Sequence, residues 1–75
     1  MEQIDIIGKS SEEKLKIIEN LKDDVVLIDE ENVYTILLKE KIVVEEITSQ
    51  YDGIEHYRYE LDELIKDFKE DSVRV

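Results

Sequence analysis

Seventy-five residues with no cysteine make one small domain whose stability rests on packing alone, since neither a disulfide nor a Cys/His zinc site can staple it. Twenty-one Asp and Glu against ten Lys and Arg give a net charge of −11, a sign that argues against direct binding to nucleic acid or to an anionic membrane, because both reward cations. No apolar run approaches the roughly 18 residues needed to cross a bilayer, and the acidic start Met1-Glu2-Gln3-Ile4-Asp5 lacks the layout of a signal peptide, so the cytosol is the expected compartment.

Residues 2–7 alternate loosely and predict a short first strand, which Gly8-Lys9 breaks. Ser10-Ser11-Glu12-Glu13 then reads as a helix start. Ser10 is placed to accept from the backbone N–H of Glu13, and Glu13 to reach back to the N–H of Ser10. Leu15, Ile17, Ile18 and Leu21 give this helix an apolar stripe and carry it to about Lys22, while Lys16, Glu19 and Asn20 face water.

The stretch Val25–Ile47 organises the rest. Val25–Ile28, Val33–Leu38 and Ile42–Ile47 are short, β-branched apolar runs separated by Asp29-Glu30-Glu31-Asn32 and by Lys39-Glu40-Lys41. They predict three antiparallel strands joined by tight turns. Pairing the first two about their turn puts Val25, Leu27, Tyr34, Ile36 and Leu38 on one face and Val26, Ile28, Val33, Thr35 and Leu37 on the other. Both faces are apolar, unlike those of a sheet with one wet side. Either the helices cover opposite faces, or both lie on one face and the other meets a second protomer.

In the last third, Ile54, Tyr57, Leu61, Leu64, Ile65 and Phe68 fit a helical stripe, with Asp52 as N-cap and Glu55 three residues on. A strand over 54–60, closed by a hairpin at Asp52-Gly53, competes with it because Tyr57 and Tyr59 alternate. Six periodic matches favour the helix, and 71–75 reads as a frayed tail. The expected fold is a single α+β domain over 1–75, (β)-α-β-β-β-α, its three- or four-stranded, mainly antiparallel sheet covered by two amphipathic helices. The α-β-β-β-α run resembles the double-stranded-RNA-binding domain in element order. The charge has the opposite sign and the basic helix start is missing, so that function does not carry over.

Catalytic signatures are missing. His56 is the only histidine, and the two glycines, Gly8 and Gly53, build no phosphate cradle. The acidic turn at 29–32 lacks the spacing and glycine of a calcium loop. No enzyme, cofactor or metal is expected. Topology offers something else. In a meander, the first turn and the end of the third strand share one pole, and a helix starting there gathers Asp29, Glu30, Glu31, Glu45, Glu46, Asp52 and Glu55. No Lys or Arg lies between residues 42 and 57. On the expected second helix, Tyr59 lies opposite the apolar stripe among Glu55, Asp62 and Glu63. Carboxylates pair guanidinium groups and an aromatic ring accepts a cation on its face, so these ten residues form the candidate partner-binding site.

In size and charge the chain resembles phage-borne anti-restriction and anti-CRISPR inhibitors, which implies a nucleic-acid mimic occupying the basic surface of a partner protein. The alternative from another class is a homodimeric accessory or structural module, joined through the second apolar sheet face, whose acidity serves only solubility.

Overall fold

The computed structural model describes every residue except Gln50, Asp52, Arg74 and Val75. The order is β1 (Glu2–Asp5), α1 (Ser11–Glu19), β2 (Val25–Ile28), β3 (Asn32–Leu37), β4 (Ile42–Ser49), β5 (Gly53–Glu60) and α2 (Leu61–Val73). This is an α+β fold with one five-stranded sheet in sequence order. The β1–β2 pair is parallel and the remaining pairs are antiparallel; the sheet has five strands where three or four were expected.

The β2–β3 register pairs Val25 with Ile36 and Leu27 with Tyr34, as the face assignment requires. These four, with Val43 of β4, are buried in one cluster with Ile18 of α1 and Leu61, Leu64 and Phe68 of α2. Leu15, Ile17 and Leu21 pack on the same cluster. Both helices therefore lie on one face of the sheet. Phe68 meets Tyr34 edge-on, ring centroids 6.0 Å apart, which holds the middle of α2 over the middle of β3. No helix among the described residues is long and apolar enough to cross a membrane.

The main correction falls on residues 54–60, which are strand, not helix. Two of the six periodic matches are coincidental. Ile54 pairs with Thr48 and lies on the helix-free face, while Tyr57 pairs with Glu45 and lies on the helix side. Gly53, at φ +78°, supplies the left-handed backbone that starts the returning strand. Strand β5 then changes directly into helix at Leu61, whose N–H donates to the Lys41 carbonyl at 2.8 Å. Asp52, expected as the N-cap, lies outside the described residues. Of the 71–75 tail, residues 71–73 continue α2 to Val73, and Arg74 and Val75 lie outside the described residues.

Helix α1 is shorter than its apolar stripe. Asn20 ends it, its side-chain amide donating to the Lys16 carbonyl at 2.7 Å. The Ser10 cap is present, with Ser10 Oγ accepting from the Glu13 N–H at 3.2 Å. The Glu13 carboxylate accepts from the Ser10 hydroxyl, not from its backbone N–H.

Candidate functional site

The β2–β3 turn and the Ser49–Gly53 end of the β4–β5 hairpin lie at the same end of the sheet, pinned together where the Thr48 N–H donates to the Glu31 carbonyl at 3.1 Å. Strand β1 runs parallel to β2 and ends at this pole, so α1 begins here too. The 29–31 bend therefore meets the 45–55 segment, bringing Asp29, Glu30, Glu31, Glu45, Glu46 and Glu55 to one end. Glu12 and Glu13 of the first turn of α1 join them. Lys39 and Lys41 occupy the β3–β4 turn at the opposite end.

These carboxylates differ in what they touch. Asp29 is neutralised: its Oδ2 accepts from Lys14 Nζ at 2.9 Å, with only 17% and 19% of the Lys14 and Asp29 side chains exposed. Lys14 also sits 5.5 Å from the centre of the Phe68 ring, and with Lys9 4.0 Å from Glu13 two ammonium groups stand on the helix side of the pole. Glu45 faces the same side. It accepts from Asn32 Nδ2 at 2.6 Å and from the Tyr59 hydroxyl. Glu46, one residue on, points to the other sheet face and meets His56 Nε2 at 3.0 Å. Glu55 accepts from the Tyr57 hydroxyl at 2.6 Å. Glu30 and Glu31 stand exposed at the tip.

Burial raises the Tyr34 phenol above its usual pKa, and the charges of Glu45, Asp29, Asp67 and Asp71 add to the effect. Tyr59 is raised likewise, by burial first, then by its hydrogen bond to Glu45 and by that carboxylate's charge. Asp67 and Asp71 thus act on the helix side of the same pole, which a sequence reading with α2 entering from the other direction does not find.

Three expected members move. Tyr59 is half-buried on β5 facing the helices, so it is no exposed ring on a helix. Asp62 and Glu63 open α2 at the opposite pole, beside the Lys41 carbonyl. They suit the positive end of the helix dipole there and leave the cluster. Two exposed aromatics stand at the acidic end, Tyr51, 93% accessible in the β4–β5 turn, and Tyr57 on β5, 48% accessible. An aromatic beside Asp-Gly between two alternating runs is the sequence signal for Tyr51, and choosing the helix over the hairpin hides it. Among the described residues, no group of three or more His, Asp or Glu side chains is arranged to hold a metal ion.

No family model, curated protein or solved structure matches the chain.

The arrangement presents exposed carboxylates beside an open tyrosine ring at one end of a small rigid sheet. Such a surface pairs cations, and its field reaches about a Debye length into solvent.

Proposed function

We propose that the protein is a non-enzymatic, cytoplasmic binding protein that occupies a basic surface of a partner protein, its carboxylates standing in for the phosphates of a nucleic acid. The observation that carries this reading is the placement of Glu30, Glu31 and Tyr51 together at one end of the sheet, with Lys39 and Lys41 at the other. The contact surface is the tip: Glu30, Glu31, Glu55 and Tyr51, flanked by Glu46 on one face and Glu12 on the other. Glu45 and Asp29 are committed to Tyr59, Asn32 and Lys14 and position the tip. Partners are basic proteins, contacted without a nucleic-acid or membrane intermediary.

Immobilised protein exposed to cell lysate tests this. Basic nucleic-acid-binding proteins should be retained at low salt, released at about 0.5 M salt, where the Debye length falls below about 5 Å, and displaced by added nucleic acid. Retention indifferent to salt and to nucleic acid contradicts it.

A further inference from the structure

The face of the sheet turned away from the helices carries Val26 and Ile28 on β2, Val33, Thr35 and Leu37 on β3, and Ile42, Val44 and Glu46 on β4. All eight are half-buried, and the apolar ones stand outside the core cluster. A sheet meant for water on this side alternates apolar with polar, and these three strands do not.

Charge on the face is sparse. Across all five strands it comprises Asp5, Glu46, Arg58 and Glu60, with His56 beside Glu46. Most of the −11 lies elsewhere. Interface centres are depleted in charge in the same way.

We propose that two copies of the chain associate face to face through this surface, about a two-fold axis that runs along the strands. Five strands spaced about 4.8 Å apart make the face about 24 Å wide, and strands of four to eight residues average about 20 Å in length. The pair covers a projected area of about 1,000 Å², the size at which specific interfaces begin. Sheets packed this way sit about 10 Å apart.

Charge chooses the axis. The cross-strand rows are Gln3-Val26-Thr35-Val44-Arg58 and Asp5-Ile28-Val33-Glu46-His56. An axis along the strands lays β3 on β3 and β1 on β5 of the second copy, so Asp5 faces the edge that carries His56 and Arg58. An axis across the strands lays β1 on β1, bringing Asp5 towards its own copy. This interface takes in Glu46 at the edge of the acidic pole, while Glu30, Glu31 and Tyr51 lie in the turns at the end of the sheet and stay open in the pair.

Sedimentation equilibrium of the full chain at about 0.3 M salt, where repulsion between the acidic copies is screened, tests the association. The expected result is a concentration-dependent species of twice the 8.9 kDa chain mass. A strict monomer at millimolar concentration overturns the proposal without any variant. Thr35→Lys, which sets like charges opposite each other on the axis, should weaken association at least tenfold with the circular dichroism of the monomer unchanged. A dimer of undiminished affinity in that folded variant means pairing along an edge strand and overturns it too. Because the chain has no cysteine, single cysteines report the axis through a bismaleimide about 10 Å long. Thr35→Cys should cross-link to its own copy and Gln3→Cys should not. Cross-linking through Gln3→Cys contradicts the along-strand axis.

Discussion

The Tyr59 hydroxyl donates to the Glu45 carboxylate on the diagonal between β5 and β4, since Tyr59 pairs with Val43, two residues from Glu45. Glu45 also accepts from Asn32 on β3, so one carboxylate ties three strands together on the helix side of the acidic end. A hydrogen bond to a charged group contributes about 1.5–3 kcal/mol. Tyr59 is half-exposed, so Tyr59→Phe is expected to cost near the lower end, about 1.5 kcal/mol, in urea unfolding. A double-mutant cycle with Glu45→Gln should show coupling, and strict additivity would mean the bond contributes nothing.

The same tyrosines set an alkaline limit. An ordinary tyrosine ionises near pH 10, and the unfolded chain follows that value. In the folded chain, burial and neighbouring carboxylates raise both Tyr34 and Tyr59. Below pH 10 the phenols are neutral in both states and the stabilisation is fully present. Above it the unfolded chain binds fewer protons, so stability falls with rising pH by up to about 1.4 kcal/mol per pH unit for each tyrosine. Denaturant titrations between about pH 9 and pH 11.5 should show this slope. Tyr59→Phe should remove about half of it, and an unchanged slope in that variant would sink the assignment.

Backbone conformation gives a pair of opposite effects. Gly53 has φ +78° and Lys41 has φ +57°, both in the left-handed region that costs a non-glycine residue about 1–2 kcal/mol. A Cβ at Gly53 meets nothing within 4 Å, so Gly53→Ala isolates the conformational cost and should destabilise by about 1 kcal/mol. Lys41→Gly should stabilise by up to about 1 kcal/mol, less the greater freedom glycine gains in the unfolded chain. Melting temperatures that move the other way would contradict the turn geometry.

At the start of α1, Ser10→Ala removes the acceptor for the Glu13 N–H and should cost about 1 kcal/mol in the same unfolding assay. Ser10→Asp should restore most of it, because an aspartate caps as well and suits the positive end of the dipole.

What was legible in the sequence was whatever local chemistry dictates alone. The Ser10 cap, the β-branched runs of β2 to β4 and the parity that buries Val25, Leu27, Tyr34 and Ile36 all follow from nearest neighbours and period. Residues 54–60 were harder, because Tyr57, Leu61, Leu64 and Phe68 satisfy a helical period across a junction where a strand becomes a helix without a loop. The partner strand β4 settles it: eight residues of β5 pair with it in continuous register, a long-range gain invisible to a local pattern. The error carried into the site. With β5 a strand, α2 starts at the other end of the sheet. Asp62 and Glu63 leave the cluster, Tyr59 turns inward, and Tyr51 takes the exposed place. Lys14 reaching Asp29 from α1 depends on how the helix lies on the sheet, which no spacing in the sequence encodes.

The central claim is that position, not total charge, governs binding. Glu30→Lys/Glu31→Lys at the tip and Asp62→Lys/Glu63→Lys at the opposite end change the net charge of −11 by the same amount. Fluorescence anisotropy of a labelled arginine-rich peptide, titrated with each variant at low salt, separates the two ideas. The tip variant should lose at least tenfold in affinity while the other keeps most of its own; equal losses in both would show that the acidic end is no binding site.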